Sequence, residues 1–344
     1  MTDRRYVGKM HRAITTALKK PEGRCLHFDR FGKRCKHPAI QSHSLQRKGP
    51  LAEIAERGHV VKAGPMLKAR PVEDRKMFER VGIGNASTFL GFCGEHDREV
   101  FAAIETHDDV SFGPDTSVVV GIRAIALEWY RKCVLAELQQ SIKAELGEQA
   151  SHEKNQMIAW VEKGARQAIE HNLESIRRLF NAFHRKPLSN FYYLAVEFDA
   201  RLPFACTGAF EPQWSLNREY LFRKDPMRVK WNQVSVLVGN MQGKGYAILC
   251  GSQRYKDHRI DLFLKSIGLD PRHLASTMFT ICLGHSENCF LRESWFDSLG
   301  QKELDQISRL IHSGVNEGIN DPSPLETRID IGVSGVNRIM KSWV

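Results

Sequence analysis

Three cysteines and several histidines fall within residues 25–97, and their types and spacing suit metal binding. Cys93 and His96 are separated by two residues, so both side chains can face one ion where a helix begins. Cys25 and Cys35 supply a second pair, although nine residues separate them and the usual gap is about two to four. The spacing predicts a structural zinc site with these four ligands.

Other histidines and cysteines leave alternatives open. His27 and His37 lie close to the first cysteine pair and are competing ligands. The alternative to a metal site is that these cysteines pack independently as small apolar residues. Cys282, His285 and Cys289 form a second cluster, but a fourth ligand is missing nearby. Eight cysteines in 344 residues are too sparse for a disulfide scaffold, which favours a cytoplasmic location.

The basic charge of the chain is concentrated on the same stretch. Residues 1–80 carry a net charge of +12, from twenty Lys and Arg against eight Asp and Glu, whereas the whole chain carries +10. Such asymmetry favours a polyphosphate partner, because each cation that meets a phosphate releases a condensed counterion. The alternative is a solvated basic face. No segment is long and apolar enough to predict a membrane span.

The order of these residues resembles a known family. Cys25 and Cys35 precede Ser42-His43-Ser44, and Phe92-Cys93-Gly94-Glu95-His96-Asp97 opens a helix. This order is similar to HNH-type endonucleases, in which a treble-clef (ββα-metal) module holds a structural zinc. The resemblance covers about residues 20–105. It implies metal-dependent cleavage of nucleic acid, most simply DNA, and a setting in bacterial restriction or phage defence.

The resemblance also implies roles for residues outside the zinc set. His43 takes the place of the general base that activates water, and a neutral imidazole can do so near pH 7. Asp97 falls where the family binds a catalytic divalent ion, and an Asp with neighbouring His59 suits Mg²⁺ or Mn²⁺. The sequence departs from the family at Ser42, where an acidic ligand is usual, and at Asp97, which is not a histidine.

The group that orients the base in the family is an asparagine, and Thr88 lies near its position. Asn85 is another option for the same role. If catalysis has been lost, the same residues predict a zinc-dependent nucleic-acid-binding regulator. A third hypothesis is a structural adaptor without nucleic-acid binding.

Basic residues near the N-terminus are predicted to contact the nucleic acid. Residues 3–19 are expected to form a helix with one apolar and one basic face. The expected nucleic-acid-binding side chains are Arg4, Arg5, Lys9, Arg12, Arg47 and Lys48.

The helix and strand patterns along the sequence predict an α+β fold with three domains. Residues 1–115 form the zinc-bound nuclease module, in which 62–85 are expected to be an exposed connection and 95–105 a helix. Residues 116–188 form a helical connector, whose two long apolar stripes suit an antiparallel pair, a homodimer surface or a protein partner.

Residues 189–344 are expected to form a mixed α+β domain that recognises a target, senses a signal or binds a partner. The predicted strands are 191–198, 204–210, 233–238, 246–250 and 279–283, and the predicted helices are 258–267 and 301–313. Gly239–Gly245 lacks phosphate-loop spacing and is interpreted as a hairpin turn.

Overall fold

The protein is a mixed α+β protein with antiparallel sheets, in a computed structural model. The structure describes residues 23–63, 78–105, 112–146, 151–185, 188, 191–221, 232–252, 258–315 and 323–343. The strands are β1 Gln41–His43, β2 His59–Ala63, β3 Phe78–Gly82, β4 Thr88–Leu90, β5 Phe191–Phe198, β6 Phe204–Phe210, β7 Val234–Met241, β8 Lys244–Ser252, β9 Cys289–Leu291 and β10 Val336–Lys341. The helices are α1 Ala52–Ile54, α2 Gly94–Glu105, α3 Pro114–Leu146, α4 His152–Arg185, α5 Arg259–Lys265, α6 Pro271–His285, α7 Glu293–Ser298 and α8 Gln301–Val315. The helix predicted over residues 3–19 lies outside the described residues.

An eight-stranded sheet has the order β10-β5-β8-β7-β6-β9-β2-β3, and its neighbouring strands are all antiparallel. Strands β5 to β8 in its middle are mostly apolar, and β6 is buried along its whole length. A strand buried on both faces reads as a nearly continuous apolar run instead of an alternation. β1 and β4 pair in a separate two-stranded sheet.

The β7–β8 hairpin confirms the glycine-rich turn predicted from sequence. Met241 pairs with Lys244, so only Gln242 and Gly243 form the loop. Both have left-handed backbone, with φ of 50° and 80°. Two consecutive residues at positive φ define the turn type that matches the twist of a hairpin, and glycine adopts it without strain. The other glycines of this segment lie in the strands.

The strand predicted at 279–283 is wrong, because these residues belong to α6. Side chains from Leu274 to Gly284 are buried on nearly every side of this helix. A fully buried helix has no polar face, so its short apolar run resembles a buried strand. The start of α6 carries a clear signal, since Asp270 accepts a hydrogen bond from the Arg272 amide and Pro271 follows at the first helical position.

Of the expected exposed connection over 62–85, residues 64–77 lie outside the described residues, and its described ends belong largely to paired strands. β2 and β3 pair in register from His59–Gly82 to Ala63–Phe78. β2 also pairs with β9, where Val61 faces Leu291. Strand pairing between such distant segments cannot be read from local composition, which here is polar and rich in Pro and Gly.

A largely buried ion pair joins the last residue of α2, Glu105, to Arg123 in the third turn of α3. Arg123 is 3% exposed. Its Nη2 lies 2.6 Å from Glu105 Oε1. Its guanidinium also lies 3.9 Å from the centroid of the Phe101 ring. Removing one partner of such a pair leaves a buried charge without compensation, so the pair fixes how these segments pack.

The chain divides into two compact units that do not follow the predicted domain boundaries, and those boundaries stay a prediction. The first unit contains Met1–Ser42, Phe89–Asp97 and Ile125–His184, and the second contains His43–Thr88, Arg98–Ala124 and Arg185–Val344. In the first unit α3 and α4 run antiparallel, because Gln140 donates to Glu162 and Ile142 packs with Ile158. The second unit holds the eight-stranded sheet and its apolar core.

Candidate metal centre

The first cysteine pair lies on an irregular antiparallel hairpin, residues 24–38, which we call the knuckle hairpin. Arg24 bridges to Pro38 and Phe28 to Arg34. The Cys25 amide donates to His37 O at 3.0 Å, and the Cys35 amide donates to His27 O at 2.9 Å. Cys25 and Cys35 therefore lie diagonally across the two arms, on the same face. This arrangement explains how nine intervening residues still bring two thiols together.

The second pair lies where α2 begins. The Asp97 amide donates to Cys93 O at 2.8 Å, which closes the first helical turn and places the side chains of Cys93 and His96 together. The Leu26 amide donates to Gly91 O, and the Ile40 amide donates to Phe92 O, both at 2.8 Å. These bonds hold the segment before α2 against the knuckle hairpin.

The four residues converge. One ligand atom from each of Cys25, Cys35, Cys93 and His96 lies within 4.8 Å of all the others. His96 Nδ1 lies 3.6 Å from the Cys25 sulfur and 3.1 Å from the Cys93 sulfur. Zinc bonds of about 2.3 Å to sulfur and 2.0 Å to nitrogen place neighbouring ligand atoms about 3.5–3.8 Å apart. A Cys₃His cluster with these separations could hold a metal such as zinc.

The protonation state of the buried Cys25 thiol would depend on whether a metal is bound. Burial is the main cause that raises the pKa of the Cys25 thiol to about 12; backbone hydrogen bonds from Cys93 and His27 oppose the rise, and the nearby thiols of Cys93 and Cys35 add to it. A neutral thiol would therefore be the stable form at pH 7 if no cation were bound. A divalent cation reverses this preference, because the thiolate is the form that binds metal.

His27 lies beside the cluster and not in it. Its ring stacks on that of His96, with centroids 3.7 Å apart and planes 8° from parallel. It also meets the edge of Phe180 at 4.7 Å. Burial, together with the neighbouring His96 and His184, lowers the pKa of His27 to about 4, so the ring is neutral at pH 7. His27 thus orients His96, while the other competing ligand, His37, is exposed.

The three predicted catalytic residues have the following surroundings. His43 Nε2 lies 3.3 Å from Ile83 O, and His59 Nδ1 lies 2.8 Å from Arg57 O. Asp97 Oδ1 is buried and has no hydrogen-bond partner among the residues that the structure describes. His43 and His59 belong to the second unit and Asp97 to the first. Their assembly into one catalytic centre stays a prediction.

A buried hydroxyl and amide network beside His43 escaped sequence analysis. The hydroxyls of Ser44 and Ser87 contact each other, and Asn288 Nδ2 donates to both, at 3.1 and 3.0 Å. Thr88 Oγ1 donates to Asn85 O at 3.3 Å. These bonds satisfy polar groups, and nothing in the local sequence links Asn288 to residues two hundred positions earlier.

The predicted nucleic-acid contacts fall into two groups. Arg47 and Lys48 are exposed, on a turn of π-helix that precedes α1. The remaining four, Arg4, Arg5, Lys9 and Arg12, lie outside the described residues.

The second cysteine cluster differs from the alternative considered from sequence. Cys282 and Cys289 both contact Cys206, a residue that sequence analysis did not single out, and burial with this contact raises their pKa values. The His285 ring instead stacks on Phe210, with centroids 4.1 Å apart. Within the described ranges only the first cluster has metal-ligand geometry.

Comparison with protein-family models, with curated proteins and with solved structures found no match. In the part of the chain that the structure describes, none of the helices has the length and apolar character needed to cross a membrane.

Proposed function

We propose that this protein is a metal-dependent nuclease of the HNH type that acts on nucleic acid, most simply DNA. The observation that carries the proposal is the convergence of Cys25, Cys35, Cys93 and His96, which joins a hairpin to the start of a helix. Zinc at this position would make a treble-clef module of the knuckle hairpin and α2. This basic segment has a small apolar core, and a bound zinc ion would stabilise its folded state.

His43 is the proposed general base, and its hydrogen bond supports that role. A carbonyl oxygen only accepts, so the contact with Ile83 O places the proton of the neutral ring on Nε2. The other nitrogen, Nδ1, then carries the lone pair that takes a proton from water. His59 is held in the opposite tautomer, since its Nδ1 donates to Arg57 O and Nε2 keeps the lone pair.

Asp97 is the proposed ligand of a catalytic Mg²⁺ or Mn²⁺ ion. Its Oδ1 is buried without a hydrogen-bond partner in the described part of the chain, and a hard divalent cation would satisfy such an oxygen. When bound, the ion supplies neutralisation of charge on the scissile phosphate. Asp97 directly follows His96 in the chain, so folding around zinc would also fix its position.

Plasmid cleavage tests the proposal. We expect the full chain to nick supercoiled plasmid in Mn²⁺ or Mg²⁺ and His43→Ala to lower the rate at least a hundredfold, as loss of a general base does. Asp97→Asn should lower the rate and raise the Mn²⁺ concentration needed. His152→Ala alters an exposed histidine on α4 and serves as the matched control. Cleavage that persists in His43→Ala would remove this assignment.

The second candidate is a zinc-dependent nucleic-acid-binding regulator that does not cleave. Ser42 favours it, because a buried hydroxyl stands where the resembling family has an acidic metal ligand. Salt-dependent binding with no cleavage in any divalent metal would support this candidate. In either case the sheet-containing segment 189–344 is proposed to recognise a target, sense a signal or bind a partner, in a restriction or phage-defence setting.

A further inference from the structure

The tip of the knuckle hairpin holds a phenylalanine in solvent. Phe31 is 78% exposed. The turn beneath it is well defined, because the Asp29 carboxylate accepts from the amides of Phe31 and Lys33, both at 2.9 Å. The Gly32 amide donates to Asp29 O, and Gly32 has φ of 75°, the left-handed position that closes this type of hairpin loop. The ring is therefore presented on a fixed backbone.

Cationic side chains share the hairpin with this ring. The Arg30 guanidinium lies 4.8 Å from the Phe31 ring centroid. Lys33 and Lys36 are also exposed, and residues 24–38 hold five Lys and Arg against one acidic residue, Asp29. That carboxylate accepts from two amides of the turn and interacts with Lys33, but the five cations outnumber it.

A single exposed apolar side chain is ordinary on a protein surface. Phe31 differs from that case because it lies on a turn held by hydrogen bonds, with Arg30 against its ring and the exposed Lys33 and Lys36 on the same hairpin. An aromatic face within a positive surface is the arrangement that proteins use for single-stranded nucleic acid, where bases stack on the ring and phosphates meet Lys and Arg. In a duplex the bases already stack on each other, so this face has nothing to add.

We propose that the tip of the knuckle hairpin binds single-stranded nucleic acid by stacking an unpaired base on Phe31, with Arg30, Lys33 and Lys36 on the flanking phosphates. This inference rests on the proposed nucleic-acid function and names its substrate class as unpaired DNA or RNA. It assigns recognition to residues that the resemblance does not assign.

Fluorescence anisotropy with the full-length protein tests it. The probes are a labelled 20-nucleotide mixed-sequence DNA, the same sequence as RNA, and its blunt DNA duplex. We expect Phe31→Ala to weaken binding of the preferred single strand about 5- to 150-fold, the range for loss of one stacking aromatic. Duplex binding should change less than about twofold, since phosphate contacts remain.

Two further variants separate stacking from other effects. Phe31→Trp keeps an aromatic face and should retain binding, and fluorescence of the introduced indole should be quenched by single-stranded probes and not by the duplex. Trp160 is 65% exposed on α4, outside the hairpin, so Trp160→Ala is the matched control and should bind as the wild type does. Metal content measured on every variant shows that the hairpin is folded.

The outcomes are distinct. Wild-type binding together with an unchanged Phe31→Ala affinity, or with equal losses on single strand and duplex, would overturn the stacking proposal and leave the proposed function standing. Absence of binding to all three probes would overturn both. A loss specific to single strands, restored by Phe31→Trp, supports the proposal whether DNA or RNA is preferred.

Discussion

At the scale of single residues, the metal cluster depends on three thiols and one imidazole with different surroundings. Cys25 and Cys93 are buried, whereas Cys35 and His96 are partly accessible. If the cluster binds zinc, a buried thiol that lost the metal would revert to the neutral form, so the ion and the fold of the knuckle hairpin would depend on each other.

Cys93→Ser tests this dependence. We expect the zinc content of the purified protein to fall from about one equivalent to near zero and the melting temperature to fall, because three ligands hold structural zinc poorly. Elemental analysis and a thermal melt measure both. Cys133→Ser, which alters a cysteine of α3 outside the cluster, should keep its zinc. Equal zinc in both variants would contradict the assignment.

His285 gives the protein a pH dependence of its own. Its ring lies between Phe210 and Phe263, and its Nε2 is buried without a hydrogen-bond partner among the described residues. Burial lowers the pKa of His285 to about 4, against 6.5 for a free histidine. Well above pH 6.5 this histidine is neutral in both the folded and the unfolded state. As the pH falls from 6.5 towards 4, only the unfolded state takes the proton, so stability is lost.

The expected loss from His285 is about 2 kcal/mol between pH 7 and pH 5. Urea unfolding at the two pH values measures it, as the difference between the wild type and His285→Gln, whose amide does not titrate. His152→Gln changes an exposed histidine and should keep the wild-type pH dependence. A His285→Gln protein that loses stability as steeply as the wild type would refute the prediction.

At the scale of elements, tight packing around the β7–β8 hairpin limits what its glycines can become. A Cβ at Gly245 would lie 2.6 Å from Leu202 Cγ and 2.9 Å from Ala200 O. The Gly245 amide also donates to Ala200 O at 2.9 Å, so the two segments cannot separate freely. Glycine is required here for close approach and not for its backbone angles.

Gly245→Ala is therefore expected to lower the free energy of unfolding by about 1–3 kcal/mol, the usual cost of overpacking. Chemical denaturation measures the change. Gly268→Ala is the control, because a Cβ there meets nothing within 4 Å, and we expect a change below about 0.5 kcal/mol. Similar losses in the two variants would contradict the packing argument.

Sequence patterns identified many elements because their signals are local. The long helices α3 and α4 follow apolar stripes, and the β7–β8 hairpin follows two apolar runs around glycine. The strand predicted at 279–283 failed because a helix buried all round has no periodic polar face. The Asp270-Pro271 pair was the available signal for the start of α6.

In the candidate site, too, features set by neighbouring residues were predictable from sequence, whereas contacts between distant residues were not. Residue types and the gap between Cys93 and His96 indicated the cluster, since one helical turn fixes that pair. The wide gap between Cys25 and Cys35 did not reveal a hairpin, although Asp29 and Gly32 carry its turn signal. The contacts of Asn288 with Ser44 and Ser87 depend on tertiary packing alone.

At the scale of the whole molecule, the eight-stranded sheet joins segments that are far apart in the chain. β9 pairs with both β2 and β6, so residues near 60, 205 and 290 share one hydrogen-bonded ladder. The metal cluster lies in the other compact unit. Metal binding and sheet stability can therefore be followed separately.

Metal removal provides the corresponding prediction. After treatment with a zinc chelator, amide hydrogen exchange should accelerate in residues 24–38 and 91–97, because the ion closes that segment. Peptides from β7 and β8 should keep their protection, which mass spectrometry can measure. Readdition of zinc should restore the first group. Equal acceleration in both groups would mean that the ion supports the sheet as well.

β10 and β3 are the two edge strands of the eight-stranded sheet. Edge strands have backbone N–H and C=O groups that can pair with a strand of another molecule, and both of these strands carry charged side chains. β10 carries Arg338 and Lys341, and β3 carries Glu79 and Arg80. Charged side chains on an outer strand oppose ladder growth between molecules. Concentrated solutions of this protein should thus resist fibril formation, and replacing Arg338 and Lys341 with threonine should remove that resistance at the β10 end.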